Sequence, residues 1–483
     1  MPRSLPARVL LGIALLVGFV LRAYTVFTDD GIYWPDEIYQ SFEPAHKAVF
    51  GYGVIPWEFI VGARSWALPA LIAVVLKLTS LLGGGSPTVY IPVVKLVFVL
   101  VSMAAVLGVY RLSQVLSDES PKTELASAAA ASLWALCTAA LYFAPRATSE
   151  NASAAAVIWG LALVLSPGAS RRLIILGASL LGLSVLFRLQ STVFCFGGLA
   201  ILFARARRGP AQWKLVLGVL AAWALGLGVL DAITWHDAPN ARFGGLFHSA
   251  VEYVRFNLVE GKGSSWGTAS AEYYPRYLWA TMPAITFILA IALVFSSRTA
   301  LGLGLTVLAY LALHLAVAHK ELRFMVPLLP VLCALVGPML VQLERIPALK
   351  LALPATVLVA ALSAWSAPAL TMGDLGAYLE RPKSSAWNDF GNVNRLMLKA
   401  SGLTDVCGMR IDVHLAWTGG STYFHHPVPL YMPGTPVGAG HFNYAIVGQG
   451  SGAEVVAQDN GLELVRIVGA PCTPDPSYSW RLP

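Results

Sequence analysis

The stretch VLLGIALLVGFVLRAYTVF, from Val9 to Phe27, decides the fold of this 483-residue chain. It is apolar apart from Arg22, and about 20 such residues are enough for a helix to cross a bilayer. No small-residue cleavage signature follows it, and the next segment is acidic and aromatic. We therefore interpret the stretch as a retained first membrane helix and not as a cleaved signal peptide.

Similar apolar runs recur along most of the chain. Hydrophobic residues make up 57% of the sequence and charged residues only 12%, against roughly 25% charged in a typical soluble protein. The sequence predicts an all-α polytopic membrane protein with about 11 transmembrane helices. The expected spans are 9–27, 89–110, 125–143, 152–166, 172–187, 191–204, 213–234, 278–296, 300–317, 324–343 and 350–367.

The distribution of basic residues predicts the orientation. If the N-terminus is cytoplasmic, every short basic connector falls on the cytoplasmic face. This requires that the apolar run from Ser65 to Leu82 lies on the outer membrane surface without spanning. The connectors contain Arg3, Arg8, Arg111, Lys122, Arg171, Arg172, Arg205, Arg207, Arg208, Lys214, Arg298, Arg345 and Lys350.

The segment after residue 367 has a different, mixed composition and contains no spanning run. We expect residues 1–367 to form the membrane domain and residues 368–483 a small outward-facing α/β domain. Two of its cysteines, Cys407 and Cys472, should form a disulfide if the domain faces an oxidising compartment. The net charge of +7 is spread between apolar runs, which excludes a nucleic-acid-binding surface.

The first outward loop, residues 28–88, carries the sequence WPDEIYQSFEPAH from Trp34 to His46. Pro35 favours a helix start, and acidic residues at a helix start are stabilising on electrostatic grounds alone. That alternative leaves Glu43 and His46 unexplained. They follow Asp36 by about two and three helical turns, so the three should share one face and form an acid/base site.

A second outward cluster has the sequence AHKELRFMVP, from Ala318 to Pro327. His319, Lys320 and Arg323 could bind a phosphate group, with arginine donating two parallel hydrogen bonds. The alternative is a set of interfacial basic residues, which are expected mainly on the cytoplasmic side. A third outward segment, PRATSEN, contains Arg146 and a glycosylation sequon at Asn151 that we interpret as accidental.

Together these segments resemble glycosyltransferase family 22, the α-mannosyltransferases of GPI-anchor and dolichol-linked oligosaccharide assembly. The resemblance rests on PDE-x-x-Q-x-x-E-x-x-H, FGYG-x-x-x-WE, Arg64-Ser65 and HKE-x-RF, within about residues 20–340. It implies a GT-C fold and an inverting transfer of a hexose, mannose in this family, from a polyprenyl-phosphate donor. No cofactor and no metal are implied. The scarcity of lysine favours a bacterial relative, with the protein in the inner membrane and its active site in the periplasm.

The resemblance also implies roles for individual residues. Asp36 occupies the position of the family's acidic catalytic residue and should act as the base, with Glu37 as the reserve candidate. The donor phosphate should be bound by His319, Lys320, Arg323 and Arg146. The acceptor or the sugar should be bound by Glu43, His46, Trp57, Glu58, Arg64 and Glu321. Pro56, Glu150 and Asn151 depart from the family pattern and leave the acceptor open.

The expected partners are a polyprenyl-phosphate sugar, a glycolipid or lipid-linked oligosaccharide acceptor, and membrane lipids. The rival function is a transporter or lipid flippase, which would place paired charges near the bilayer midplane and broken helices in two related halves. Lys95 is the clearest deep charge, and the two halves show no convincing repeat. A scaffold that binds partners through its C-terminal domain would leave the outward charges without a role.

Overall fold

The structure, a computed structural model, describes residues 3–206, 212–295, 300–377, 380–438, 440–467 and 471–481. Three residues of the predicted basic connectors, Arg207, Arg208 and Arg298, lie outside the described residues. Helices account for most of the described chain, and a five-stranded sheet lies near the C-terminus.

The α-helices differ widely in length, and long apolar helices alternate with short surface pieces. In chain order they are α1 Leu5–Thr28, α2 Glu43–Phe50, α3 Glu58–Val61, α4 Ala67–Leu81, α5 Pro87–Leu116, α6 Thr123–Leu136, α7 Thr138–Phe143, α8 Ser149–Val164, α9 Arg171–Phe187, α10 Thr192–Ala206, α11 Gln212–Trp235, α12 His248–Val254, α13 Tyr273–Thr281, α14 Pro283–Val294, α15 Leu301–Ala316, α16 Leu329–Leu343, α17 Ala352–Ser366, α18 Gly391–Ala400 and α19 Gly420–Phe424. The described residues also contain two π-helical turns, Ile38–Phe42 directly before α2 and Arg255–Val259 directly after α12.

The predicted apolar segments are largely helical, but they are not eleven uniform spans. Among the described residues, five helical stretches are long and apolar enough to cross a membrane unaided: Leu5–Thr28, Pro87–Leu116, Leu189–Ala206, Gln212–Trp235 and Pro347–Ala369. Other predicted spans are shorter or broken. The predicted span 125–143 divides at Cys137, whose backbone is extended, and 278–296 divides before Pro283, which cannot continue the hydrogen-bond ladder of α13.

The apolar run from Ser65 to Leu82 forms α4, which has 15 residues. At 1.5 Å per residue it is about 22 Å long, shorter than the roughly 30 Å hydrocarbon core of a bilayer. Leu71, Val74, Leu78 and Leu81 are exposed on it. The helix is confirmed, and its position on the membrane surface stays a prediction, since α16 has the same length and was predicted to span.

The chain divides into two compact units. The first, which we call the membrane unit, comprises Met1–Tyr24, Val97–Asp237 and Ala241–Ser384. The second, the loop–sheet unit, comprises Thr25–Leu96, Ala238–Asn240 and Ser385–Pro483. The sequence predicted a division after residue 367. In the structure the first outward loop instead groups with the C-terminal residues, because the hydrogen bonds described below join them.

Within the membrane unit, two glycines bring α8 and α9 close together. A Cβ atom on Gly160 would lie 2.9 Å from the Gly177 carbonyl oxygen, and a Cβ on Gly177 would lie 3.0 Å from the Gly160 carbonyl oxygen. Small residues at such positions let membrane helices approach closely. Since a short connection makes the two helices antiparallel neighbours, the first turn of α8 and the end of α9 lie at the same end of the pair.

Arg22 compensates for the break between α6 and α7. Its buried guanidinium donates to the carbonyl oxygens of Trp134, at 3.1 Å, and Ala135, and to Ser102 Oγ at 3.2 Å. The helix break at Cys137 releases these carbonyl groups from their usual partners. Because a bilayer core offers no water, a protein donor has to replace those partners.

The loop–sheet unit contains one mixed sheet with strand order β2-β1-β3-β5-β4. Its strands are β1 Met409–Ile411, β2 Leu430–Tyr431, β3 Tyr444–Gly448, β4 Glu454–Asp459 and β5 Leu462–Arg466. The first three are parallel, and β5 pairs antiparallel with both β3 and β4. Cys407 and Cys472 form the predicted disulfide, with their Cα atoms 6.1 Å apart.

Arg22→Gln should destabilise the membrane unit by on the order of 3 kcal/mol, because it leaves buried carbonyl groups without a donor. The measurement is thermal unfolding of the purified protein in detergent. The matched control is Arg8→Gln, which changes an exposed arginine of the same helix. Equal unfolding temperatures for the two variants would contradict the role assigned to Arg22.

Candidate active site

The first outward loop begins a helix where the sequence predicts it. Pro35 lies in a turn, Asp36 and Glu37 are helical, and the π-helical turn Ile38–Phe42 then leads into α2. Asp36 is partly exposed, whereas Glu37 is 4% exposed. The π-helical turn interrupts the 3.6-residue spacing on which the predicted common face of Asp36, Glu43 and His46 depends.

Glu43 is fully buried and binds backbone groups of the loop–sheet unit. Its Oε1 accepts a hydrogen bond from Thr422 N at 2.8 Å, and its Oε2 accepts one from Val54 N at 3.0 Å. A Cβ atom on Gly420, whose φ is +53°, would lie 2.3 Å from Oε1. Burial raises the pKa of Glu43 to about 7, even though both backbone donors favour the carboxylate. Glu43 thus joins α2 to α19.

His46 makes a second link to the C-terminal residues. Its Nδ1 lies 3.1 Å from the Tyr52 carbonyl oxygen, and its Nε2 lies 3.0 Å from His425 Nδ1. A carbonyl only accepts, so His46 Nδ1 carries the proton and Nε2 must accept from His425. Burial and the neighbouring His425 lower the pKa of His46 to about 3, which keeps this ring neutral.

Further hydrogen bonds hold the loop to the C-terminal residues. Tyr39 Oη donates to the Leu415 carbonyl at 2.5 Å, and Tyr90 Oη donates to the Thr422 carbonyl. The backbone N–H groups of Ile32 and Ile55 donate to carbonyls of the C-terminal segment at 3.0 and 2.6 Å. The loop that carries Asp36 is therefore fixed on both sides of that residue.

Asp36 lies near two other predicted site residues. Gln40 Nε2 donates to Glu58 Oε1 at 2.8 Å. Burial raises the pKa of Glu58 to about 7, the charge of Arg64 opposes this rise, and the charge of Asp36 adds to it. The structure thus brings Asp36, Glu58 and Arg64 into one electrostatic group, with Trp57 directly before Glu58 at the start of α3.

In the membrane unit, five residues form a line of alternating charges, which we call the charge chain: His319, Glu321, Arg323, Glu150 and Arg188. His319 Nε2 lies 2.8 Å from Glu321 Oε1, and the other Glu321 oxygen accepts from Arg323 Nε. Glu150 Oε1 accepts from Arg323 Nη1 at 3.2 Å and from Arg188 Nη1 at 2.5 Å. The side chains of His319 and Glu321 are about one-fifth exposed, while the other three are buried.

Local structure explains how the buried half of the charge chain is assembled. Glu150 lies in the first turn of α8, where a carboxylate is favoured, and Thr148 is the N-cap. Arg188 ends α9 with an extended backbone, and the Gly160–Gly177 contact brings the two helices together. From the sequence alone, Glu150 was a departure from the family pattern without an assigned role. The structure shows it as the shared counter-ion of two arginines.

The first two residues of the HKE motif hold a neighbouring loop. His319 Nδ1 lies 3.0 Å from the Gly267 carbonyl oxygen. Lys320 Nζ donates to the carbonyls of Ala269 at 3.0 Å and Val317 at 2.6 Å. Burial lowers the pKa of His319, but the hydrogen bond and charge of Glu321 more than offset this, so the net shift is upward.

Arg146, the remaining predicted phosphate ligand, lies with its guanidinium carbon 4.2 Å from the centre of the Tyr142 ring. The neighbouring Asn151 is 2% exposed, and its Nδ2 donates to the carbonyls of Phe143, Ala144 and Arg146. That amide is therefore engaged in the core. Within the part of the chain that the structure describes, no group of three or more His, Cys, Asp or Glu side chains could hold a metal ion.

The architecture defines the class of protein. The chain superimposes on the crystal structure of ArnT from Cupriavidus metallidurans bound to undecaprenyl phosphate, with a TM-score of 0.60, 14% identity, and 96% and 99% of the two chains covered. The chain also superimposes on the archaeal oligosaccharyltransferase AglB from Archaeoglobus fulgidus, in complex with an inhibitory peptide and a dolichol-phosphate. For this pair the TM-score is 0.57 and the sequence identity is 14%, and the superposition covers 92% of this chain and 69% of AglB. At these identities the likeness shows the fold alone, which is the GT-C fold of membrane glycosyltransferases.

Residues 13–378 match the Alg9-like mannosyltransferase family, and the chain belongs to that family. Similar proteins include GPI alpha-1,2-mannosyltransferase 3 of Danio rerio, 25% identical over 71% of this chain and 62% of the relative. GPI mannosyltransferase 3 of Yarrowia lipolytica is 26% identical over 66% of this chain and 61% of the relative. The chain therefore spans about three-fifths of the length of these two relatives. The match confirms the family resemblance read from the motifs.

The neutral His46 predicts an acid-dependent loss of stability. In the unfolded chain His46 takes up a proton below about pH 6.5, whereas in the folded protein its pKa is about 3. The contribution of neutral His46 to the free energy of unfolding is therefore complete above pH 6.5 and decreases as the pH is lowered. Between pH 7 and pH 5 the loss is about 2 kcal/mol. The measurement is the difference in thermal unfolding between wild type and His46→Gln at both pH values.

This comparison isolates His46 from its acidic neighbours. Glu43 and Glu58, whose pKa values are raised, would oppose the effect on acidification, but both are present in the two proteins and cancel in the difference. The advantage of wild type over His46→Gln should shrink from pH 7 to pH 5. An unchanged advantage would contradict the neutral histidine pair.

Proposed function

We propose that this protein is a membrane mannosyltransferase that moves a mannose from a polyprenyl-phosphate donor to a hydroxyl group of a glycolipid or lipid-linked oligosaccharide. The observation that carries the proposal is the state of Asp36: a partly exposed carboxylate in a loop fixed on both sides, within a chain of the Alg9-like family. The relatives named GPI mannosyltransferase 3 support mannose as the sugar.

The donor is proposed to be a lipid phosphate, without a nucleotide sugar and without a metal or other cofactor. Two proteins of the same fold are described with undecaprenyl phosphate and with a dolichol-phosphate. A lipid phosphate is a good leaving group, so the chemistry needs cations to stabilise its developing charge more than it needs a general acid. Arg323, which the resemblance to the family assigns to the donor phosphate, can supply that charge.

The proposed reaction is a single displacement. The acceptor hydroxyl gives its proton to the Asp36 carboxylate, and its oxygen forms a bond to the anomeric carbon of the mannose. The bond from that carbon to the phosphate oxygen breaks, and the electron pair stays with the phosphate. Attack opposite the leaving group inverts the anomeric configuration. Asp36 is preferred to Glu37 because a base has to reach its substrate, and Glu37 is 4% exposed.

The remaining predicted residues divide by their environment. Trp57, Glu58 and Arg64 lie near Asp36 and are proposed to contact the sugar or the acceptor. The polar atoms of Glu43 and His46 bind protein groups, so we propose that both residues fix the loop. Glu321 is proposed to orient Arg323 and His319 through the charge chain.

The transporter or flippase alternative is weaker. The charge in the sequence that best fitted a transport function was Lys95. In the structure Lys95 Nζ donates a hydrogen bond to the Asp29 carbonyl oxygen at 3.0 Å within the loop–sheet unit. That contact gives the charge a structural role. The multi-pass membrane location follows from the fold. We further propose an inner-membrane location, a cytoplasmic N-terminus, and a periplasmic active site and C-terminal region.

Asp36→Asn should reduce transfer at least about 100-fold, since it removes the base and keeps the size of the side chain. The measurement is transfer of radiolabelled mannose from polyprenyl-phosphate mannose into lipid extracts of membranes that contain the protein. Glu37→Gln should retain most activity if the protein folds normally. The control Asp118→Asn changes an exposed carboxylate and should behave as wild type. Wild-type turnover by Asp36→Asn would remove Asp36 from the mechanism.

A further inference from the structure

Arg188 has an unused pair of hydrogen-bond donors deep in the membrane unit. The residue is 6% exposed, and its Nη1 is bound to Glu150 Oε1. Its other two nitrogen atoms, Nε and Nη2, are buried, and neither has a partner with hydrogen-bond geometry within the described residues. The hydroxyl of Tyr310 is the nearby protein group that also interacts with the Arg188 side chain, and it donates to the Phe324 carbonyl at 2.9 Å. Nε and Nη2 form one edge of the guanidinium, the edge that donates two parallel hydrogen bonds to a carboxylate or a phosphate.

Other unpaired polar atoms surround the same arginine. Within the described ranges, Tyr274 Oη and His314 Nε2 are also buried without a hydrogen-bond partner. The charge of Arg188 acts on both of these residues. The guanidinium of Arg188 lies 4.9 Å from the centre of the Phe324 ring, and the His314 ring centre lies 6.1 Å from it. The side chains of Arg188 and His314, each with an unsatisfied polar atom, therefore both lie beside the Phe324 ring.

The charges in this region favour an anion. Glu150 is shared by Arg188 and Arg323, and Glu321 is shared by Arg323 and His319. The upward shift of the pKa of His319 favours its charged form, in which the charge chain holds three cations and two anions. The surplus of one positive charge is matched by a phosphodiester, which carries one negative charge.

We propose that Arg188, through its Nε–Nη2 edge, binds the phosphate group of the lipid-linked donor, with Tyr274 as an additional donor. This inference rests on the proposed function and gives it a phosphate ligand that the motifs did not indicate. In the same arrangement His319 and Lys320 hold the loop at Gly267 and Ala269, and their predicted role in phosphate binding stays a separate proposal.

Arg188 can bind a phosphate while the buried Glu150 carboxylate keeps its hydrogen-bond donors. When a phosphate engages the Nε–Nη2 edge, Glu150 keeps both Arg188 Nη1 and Arg323 Nη1 as donors. As the sugar departs, the phosphodiester becomes a monoester and gains a second negative charge. The buried guanidinium is then a stronger partner for the leaving group than for the intact donor, which is the requirement for stabilising a transition state.

The alternative role for Arg188 is purely structural, as the counter-ion of Glu150. The two roles make different predictions for the double variant Glu150→Gln/Arg188→Gln, which removes both charges of the pair. If Arg188 only neutralises Glu150, the double variant should recover the activity that Arg188→Gln loses. If Arg188 binds the phosphate, the double variant should stay as inactive as the single one.

The experiment measures kcat and KM for polyprenyl-phosphate mannose, together with direct binding of polyprenyl phosphate to the purified protein by native mass spectrometry. Arg188→Lys keeps the charge but loses the two-donor edge, and should raise the donor KM at least tenfold. Arg188→Gln should lower kcat/KM about 100-fold and weaken polyprenyl phosphate binding by a similar factor. Arg276→Gln, an exposed arginine of the same unit, is the control.

Thermal unfolding in detergent identifies any variant that fails to fold, and the double variant then supplies the comparison. Wild-type KM and wild-type lipid phosphate binding in Arg188→Lys and Arg188→Gln would overturn the inference, as would recovery in the double variant. If wild type binds polyprenyl phosphate in an Arg188-dependent way but transfers no mannose, the proposed function fails and the phosphate site stands.

Discussion

The hydrocarbon core of a bilayer contains no water, so each polar group that enters it must find its partner within the protein. Two features of the membrane unit follow from this constraint. The break between α6 and α7 is possible because Arg22 donates to the carbonyl groups released there. The same requirement holds for charges buried within the protein: Arg323, Glu150 and Arg188 occur as an alternating chain, because an isolated ion removed from water would be costly.

The loop–sheet unit meets a different requirement, which is to fix a loop of irregular structure. Glu43 and His46 bind Thr422 and His425, and these contacts join the loop that carries Asp36 to the C-terminal residues. A catalytic base is effective only when its position is held closely. The C-terminal residues, for which the sequence suggested no role, are therefore part of the support for the proposed base.

Local sequence patterns predicted the features that depend on neighbouring residues. The apolar runs indicated the helices, and Pro35 indicated the helix start at Asp36. Among features that depend on distant residues, the Cys407–Cys472 disulfide was predicted because both cysteines lie in the C-terminal domain, whereas the long-range hydrogen bonds were missed. Glu43 and Thr422 are 379 positions apart, and the π-helical turn Ile38–Phe42 has no clear sequence signal. The motifs gave no role to Arg188, because only the structure shows which of its nitrogen atoms lack partners.

The central claim is that the protein transfers mannose from a lipid phosphate in one displacement. The most direct test supplies the reconstituted wild-type protein with polyprenyl-phosphate-[13C]mannose of known anomeric configuration, without any nucleotide sugar, and determines the product linkage by NMR. Our account predicts a mannosylated lipid whose anomeric configuration is opposite to that of the donor. A product with retained configuration, or transfer that requires a nucleotide sugar, would contradict it.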